Sequence, residues 1–598
     1  MLHELKTEAS PLSERQIDCL QQGLDQLDPS QTAWLSGYLA GRLAADRPAA
    51  VPTPDVTVLQ VLYASQTGHG EALAAGLAET ATAAGFSVRA RNVLDLRPAE
   101  IRRLEYAVFV ISTHGEGDPP DDAIDLFDYL QSGRRPALDG LKFSVLALGD
   151  RSYEQFCAAG RNLEDLLLAC GAQAFAPRVE CDVDYDQDAA QWSEQVIAHV
   201  RENQVGPDSG AETQRRPAHL SVVSSAPAWG RSRPFPATVE RLQRITGPDS
   251  TKEVYHIELS LEDSGLHYEP GDALGVWAPN ALESVEALLA VLNIDPATSV
   301  EVDDGEFTIR ELLIHHRELT RLAPETIKGF AALGRDDSLQ RRLDACDEKD
   351  LRRFIEERQF IDLVEAFPAT VTAADLAGLL RPLTPRSYSI ASSQAAVDAQ
   401  VHLTVVTKID QAPGGRRYGL ASHYLNNRLQ TGDEVGVFLE PNRRFRLPED
   451  RSTPLILIAT GTGIAPYRAF LQQLEEEGQS PRTWLIFGNP HLRSDFLYQR
   501  EWLRWRKNGF VQRIDGAFSR DQEAKHYVQD VVRARAPDIC EWLDAGARIY
   551  LCGALAMGDA VETALRQAVA GQRGLDQQAA NTFMSDLRRD RRLLKDLY

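Results

Sequence analysis

The stretch RSYSIASS, Arg386 to Ser393, follows a proline-bounded break, LRPLTP. A guanidinium, a tyrosine two residues on and then hydroxyls suit the holding of an anionic dinucleotide flavin. Arg386 would pair with a pyrophosphate, the ring of Tyr388 would lie beside the flavin, and a hydroxyl would reach N5. An ordinary strand ending in a serine-rich turn fits the same letters. Three companions favour the first reading: a phosphate-type loop far upstream, a GTG turn downstream, and an aromatic last residue, Tyr598.

Downstream, residues 452–598 read as α/β. TPLILIATGTGIAPYRAFLQQLEEEG is strand, glycine turn and helix, and RTWLIFGNP, VQRIDGAFSRD and ARIYLCGA are further strands. A lone GTG is weak, but this context makes it a nucleotide turn. In SRDQEAKHYVQD, Ser519, Arg520, Lys525 and Tyr527 offer two cations and two hydroxyls, which suits the 2′-phosphate of NADPH over NADH. A solvated basic loop is the alternative.

Upstream, residues 233–450 carry β patterns (FPATVERLQRI, EVYHIELSL, DALGVWAPN, HLTVVTKI, DEVGVFLE) that suit an antiparallel barrel. A helical insert interrupts them from about 280 to 378. Its His315 and His316 are adjacent and point apart on a helix, so no metal pair is expected. Residues 56–203 alternate strands and helices. VTVLQVLYA, YAVFVIS and LKFSVLALG are buried-strand runs. They lead into SQTGHG, STHGEGDPPDDA and LGDRSYEQFC, loops at the carboxyl ends of strands, where open α/β sheets bind ligands. Ser65, Gln66, Thr67 and Gly68 let backbone amides surround a phosphate at a helix start. Glu116, Asp118, Asp121, Asp122, Asp125 and Asp150 are either a solvated acidic face or a dock for a basic partner.

Residues 1–50 read as amphipathic helices that pack on their own domain or self-associate. Residues 204–232, rich in Gly, Pro and Ser, read as a flexible tether. The 598 residues allow about three to five domains. A net charge of −23 argues against nucleic acid and suits repulsion from membranes. Seven scattered cysteines without a CxxC pair fit reduced thiols and no iron–sulfur site. With no membrane-length apolar run and no signal-peptide h-region, a cytoplasmic protein is expected.

RSYSIASS, GTGIAP, FGNP, the SR…KxYVQ spacing and the terminal aromatic stand together in one order. From about residue 56 onward the chain thereby resembles the diflavin reductases, the cytochrome P450 reductase-like family. PSQTAWLSGY and the lack of a membrane anchor bring it nearest the sulfite-reductase flavoprotein branch. The resemblance implies a flavodoxin-like FMN domain, a ferredoxin-reductase-like FAD barrel with a helical insert, and a Rossmann-like NADP-binding domain. Ser65, Gln66, Thr67, Gly68, His69 and Gly70 would hold the FMN phosphate. Ser112, Thr113, His114 and Gly115, with Leu148, Gly149, Asp150, Arg151, Ser152, Tyr153, Glu154, Gln155, Phe156 and Cys157, would hold its ring, Tyr153 stacking on one face. Thr320, Arg386, Ser387, Tyr388, Ser389, Thr404, Val405 and Val406 would contact FAD. Gly419, Leu420, Ala421 and Ser422 would cradle its pyrophosphate, and Tyr598 would stack on the ring. Gly461, Thr462, Ser519, Arg520, Lys525, His526, Tyr527, Val528 and Gln529 would hold NADPH. Ser389, Cys552 and Asp596 would line the hydride-transfer site. Four positions depart from the family pattern: His114 for an aromatic residue, Ala554 for an acid, Ala560 for an aspartate and Asp410 for a tyrosine. The implied partner is a siroheme and iron–sulfur hemoprotein subunit of sulfite reductase, with homo-oligomerisation through the N-terminal segment. A reductase serving a P450 or flavodoxin-like carrier, or a redox-silent scaffold, remain alternatives.

Overall fold

The computed structural model describes residues 58–598 except 66–67, 115–116, 133–134, 152–154, 184, 204–228, 303–304, 335–336, 368 and 413. The helices expected over 1–50 and the tether up to residue 228 lie outside the described residues.

Strands β1 (Val58–Ala64), β2 (Ser87–Asn92), β3 (Tyr106–Ser112) and β4 (Lys142–Leu148), with the short β5 (Gln173–Ala174) and β6 (Val179–Cys181), form the first sheet. Its order is β2-β1-β3-β4-β5, with β6 also on β4. β1, β3 and β4 pair in parallel. Their apolar runs are buried on both faces, as a parallel sheet requires. Alternation puts Leu62, Phe109 and Phe143 into one helix-covered layer and Val61, Val108, Leu146 and Trp192 into the other. The strand order reverses between β1 and β3, where the loops leaving β1, β3 and β4 meet.

β7 (Phe235–Arg244), β8 (Val254–Ser260) and β9 (Ala273–Trp277) begin the second sheet. The insert that follows has seven helices among its described residues, from Leu282–Leu292 to Ala373–Leu379. It is not purely helical: Ser299–Val302 (β10) and Gly305–Thr308 (β11) form an antiparallel hairpin. β12 (Arg386–Ser389), β13 (Gln400–Val406), the hairpin β14 (Ile409–Ala412) and β15 (Gly415–Tyr418), and β16 (Glu434–Glu440) follow. The sheet order β12-β9-β16-β7-β8-β13 closes through an antiparallel bridge between Ile390 and Leu403, which makes the expected barrel. Ordered structure begins before the barrel. Trp229 packs edge-on against Phe235 at 5.2 Å, and Arg231 O accepts from Trp277 Nε1 at 3.0 Å, so the last residues of the expected tether are part of the fold.

β17 (Leu455–Thr460), β18 (Thr483–Asn489), β19 (Arg513–Phe518) and β20 (Arg548–Gly553) form a parallel sheet in the order β19-β18-β17-β20. Sequence reading missed its fifth strand, β21 (Leu593–Leu597), which lies parallel to β20 with Cys552 opposite Asp596.

Four of the acids on the first sheet's loops are not a solvated face, whereas Asp118 is exposed and Glu116 lies outside the described residues. Asp121 meets Lys595 at 2.5 Å, Asp125 meets Ser585 at 2.8 Å, Asp150 meets Arg381 at 3.1 Å, and Asp122 pairs with Arg444. Their basic partner is the C-terminal half of the same chain. Behind Lys595 sits Glu562, 2.8 Å away and also paired with Arg588. Burial opposes ionisation of Glu562, but Lys595 and Arg588 outweigh it and hold the carboxyl down to about 2. A depressed carboxyl adds stability above its unfolded value and loses it as pH falls through its folded one. Glu562→Gln should therefore be less stable than the parent at neutral pH, and the gap should close between about pH 4.5 and 2. Chemical unfolding across that range tests this; a gap constant with pH contradicts it.

Candidate functional site

Three clefts surround the junction of the sheets. The first, about 560 Å³, opens at the carboxyl edge of the third sheet. Gly461, Thr462, Ser519, Arg520, Lys525, Tyr527, Val528, Gln529 and Tyr598 line it together, with Val406 from the barrel. His526 is half-buried and outside that lining. The glycine turn has a steric reason. A Cβ on Gly463 would stand 2.2 Å from Cys552 O, so only glycine lets the turn approach β20. Sequence reading missed Lys252 and Asn489. Lys252 enters the cleft from the β7–β8 loop of the barrel, its Nζ 3.3 Å from Asn489 Oδ1, and burial lowers its pKa. No local motif announces a lysine 268 positions before Arg520 (520 − 252). Only the fold reveals it.

The second cleft, about 320 Å³, lies where the first sheet's loops meet. His69, Ser112, Thr113, His114, Leu148, Gly149, Asp150, Gln155, Phe156 and Cys157 line it, joined by Tyr185, Arg231, Leu555, Leu597 and Tyr598. Thr113 Oγ1 is buried without a hydrogen-bond partner, a hydroxyl waiting for a polar ligand. Ser65 is fully buried, and its Oγ accepts from the amides of Gly68 at 3.1 Å and Gly70 at 3.2 Å, shaping the loop into an amide-lined turn. Arg151 lies over the Phe156 ring at 4.9 Å. Burial lowers the pKa of His114, so the imidazole there is neutral. Gln66, Thr67, Gly115, Ser152, Tyr153 and Glu154 lie outside the described residues.

The third cleft, about 340 Å³, runs between the insert and the barrel, with Thr320, Gly419 and Leu420 in its lining beside Arg416, Arg417 and Arg428. A short helix starts at Leu420, right after Gly419, and the Ser422 hydroxyl donates to Gly419 O at 3.2 Å. Ala421 is buried. Arg386 is not a free cation. It reaches Glu318 at 2.6 Å and Thr384 Oγ1 at 2.6 Å, and Thr320 Oγ1 donates to the same Glu318 at 2.7 Å. Burial opposes ionisation of Glu318, yet Arg386 and Thr320 lower its pKa, so it stays charged and holds both side chains in place. Ser387 bonds Glu440, and Tyr388 packs beside Leu383. The Thr404 and Val405 side chains are buried in the barrel, Thr404 against Tyr498 OH at 2.7 Å. They face no cleft.

Two residues before Tyr598, on β21, Asp596 Oδ2 accepts from Ser389 Oγ at 2.8 Å, and the buried Cys552 Sγ lies 3.7 Å from the same oxygen. Burial raises the Asp596 carboxyl, and burial with the Asp596 charge pushes the Cys552 thiol well up. Tyr598 OH meets Thr462 Oγ1 at 2.7 Å. The tyrosine is 58% exposed and lines both the first and the second cleft.

Among the described residues one group has the makings of a metal site: His256, Glu258 and His402. Arg468 Nη1 sits 3.3 Å from His402 Nδ1 and also bonds Ala391 O at 2.7 Å, so a buried cation already occupies this seam between barrel and third sheet. His315 and His316 have ring centroids 6.4 Å apart.

A doubly wound sheet, a closed barrel and a nucleotide sheet around one carboxylate are the parts of a two-flavin, nicotinamide-linked oxidoreductase. Family models agree with the parts: flavodoxin matches residues 61–192, FAD binding domain 228–424, and oxidoreductase NAD-binding domain 457–563. Proteins named sulfite reductase [NADPH] flavoprotein alpha-component match along the chain. That of Shewanella oneidensis is 42% identical over all of both chains, that of Yersinia pestis 42% over 99% of each, and that of Neisseria meningitidis 41% over 97% of each. The chain belongs to the family of sulfite reductase [NADPH] flavoprotein alpha-components.

Lys252→Met should weaken NADPH binding about tenfold, about 1.4 kcal/mol, through loss of one charged partner. Calorimetric titration checks this; unchanged affinity would remove Lys252 from the site.

Proposed function

We propose that the chain takes electrons from NADPH, passes them through FAD and then FMN, and delivers them to a hemoprotein subunit that reduces sulfite to sulfide. The carrying observation is Asp596, held by Ser389 of the barrel and Cys552 of the nucleotide sheet, two residues before Tyr598, which lines both of the first two clefts. When bound, the nicotinamide supplies a hydride and the flavins relay its electrons.

The chain's own residues supply position and field. Ser519, Arg520, Lys525 and Tyr527 pin a 2′-phosphate, and Gly461 and Thr462 form the turn beside it. Gly419 to Ser422, with Thr320 and Arg386 set by Glu318, hold the FAD end of the barrel. Ser65 to Gly70 form the FMN phosphate loop, and residues 112–115 and 148–157 hold its ring. Ser389 and Cys552 orient the Asp596 carboxylate toward developing positive charge. Tyr598 covers the site and swings aside for the nicotinamide. Residues 1–50 serve self-assembly, residues 204–228 tether the FMN module, and the setting is cytoplasmic. Among the described residues no helix is long and apolar enough to cross a membrane.

Asp596→Asn should slow flavin reduction by roughly 10–100-fold, or about 1.4–2.7 kcal/mol. The parental rate should fall as pH drops through the raised Asp596 value, because the working form is the carboxylate, and the Asn variant should lack that limb. Stopped-flow reduction across pH decides; a parental rate in the variant removes the role. For the whole function, NADPH-driven sulfite reduction with and without a siroheme hemoprotein is the test. Sulfide only when both are present supports it, and an inert mixture refutes the acceptor.

A further inference from the structure

Lys595 lines none of the three cofactor clefts. Its side chain is 9% exposed, with Nζ 2.5 Å from Asp121 and 2.8 Å from Glu562. A buried ammonium is tolerated only when paired, so these two carboxylates decide where it sits. Glu562 stands on the helix Leu555–Arg573 of the nucleotide sheet. Asp121 stands on the flavodoxin-type module, in the loop region after β3. The tie thus crosses from one module to the other.

What the tie holds is the last strand. β21 is an edge strand of five residues whose one ladder neighbour is β20. Neighbouring residues of a strand face opposite sides. Lys595 accordingly reaches Asp121, while Asp596 reaches Ser389 and Cys552. Beyond that ladder and the packing of Leu593 and Leu597 in the sheet's core, the strand is placed by side-chain ties, and two of these are consecutive.

We infer that Lys595 is a positioning residue: the docked flavodoxin-type module, through Asp121, holds the last strand in the placement that sets Asp596 for hydride transfer. When the module leaves to meet its acceptor, Lys595 keeps Glu562 but loses Asp121, and the strand loosens until the module returns. Flavin reduction is then coupled to docking. The step affected moves a hydride, two electrons with one proton, from C4 of NADPH to N5 of the flavin. It yields NADP⁺ and the two-electron-reduced flavin and needs no other reactant. The inference rests on the proposed placement of FAD beside Ser389.

The test uses the full flavin-loaded chain mixed rapidly with NADPH, following the first flavin bleaching over a range of NADPH concentrations. Lys595→Met and Asp121→Asn should each lower the limiting rate about three- to tenfold, the size of a coupling carried by one tie. The half-saturating NADPH concentration should not move. The double variant should be no slower than either single one, and Lys595→Arg, which keeps the charge, should stay near the parent. Asp121→Asn leaves Lys595 intact, so it tests the tie even if Lys595→Met fails to fold. Parental rates in both single variants, or effects that multiply in the double variant, overturn the inference. A parent that NADPH does not bleach refutes the electron-carrier reading itself; a bleached parent with unaffected variants refutes the coupling alone.

Discussion

Everything near the site depends on one hydrogen bond, from Ser389 Oγ to Asp596, across 207 positions of chain. A hydrogen bond to a charged group contributes about 1.5–3 kcal/mol, and leaving such a carboxylate buried and unpaired costs more. The barrel must therefore present the end of β12 to the last strand of the nucleotide sheet. The glycine turn must also come close enough for Gly463 to touch the Cys552 carbonyl. Each of these placements is unfavourable alone, and the shared carboxylate makes them consistent.

Two kinds of contact join the modules. Barrel and nucleotide sheet share a buried seam. Arg468 bonds Ala391 O and Glu501, while His256 and His402 are pushed down to about 2 and about 3, burial first and the Arg468 charge second. A neutral His402 can accept from the guanidinium without adding charge to the interior. The flavodoxin-type module, by contrast, meets the rest of the chain through ion pairs of its acids with Arg381, Arg444 and Lys595, all of them half-buried or buried. Such pairs are offset by the desolvation of both charges, so on separation water replaces the lost partner. The seam between barrel and nucleotide sheet is buried around one guanidinium, and the boundary of the flavodoxin-type module carries several separate ion pairs.

The fold was legible where chemistry is local. Apolar runs announced β1, β3, β4 and β17, and Gly-rich turns announced the clefts. What stayed hidden depended on distant partners. β21 is short and carries Lys595 and Asp596 among its apolar positions, so it has no strand signature until Cys552 lies opposite Asp596. Lys252 and Glu318 act through contacts that no spacing rule encodes. The acidic loop was read as solvated or as a dock for a basic partner. The partner was 474 residues along the same chain, at Lys595. For Arg386 the sequence suggests a phosphate contact, and the fold adds Glu318, which sets its guanidinium and which no spacing announces.

The central claim is that two flavin sites and one nicotinamide site meet on a single chain. Extraction and chromatography of the pigments from the purified protein test it most directly. The account predicts FMN and FAD in near-equal amounts, about one of each per chain. A single flavin, or none, would contradict it.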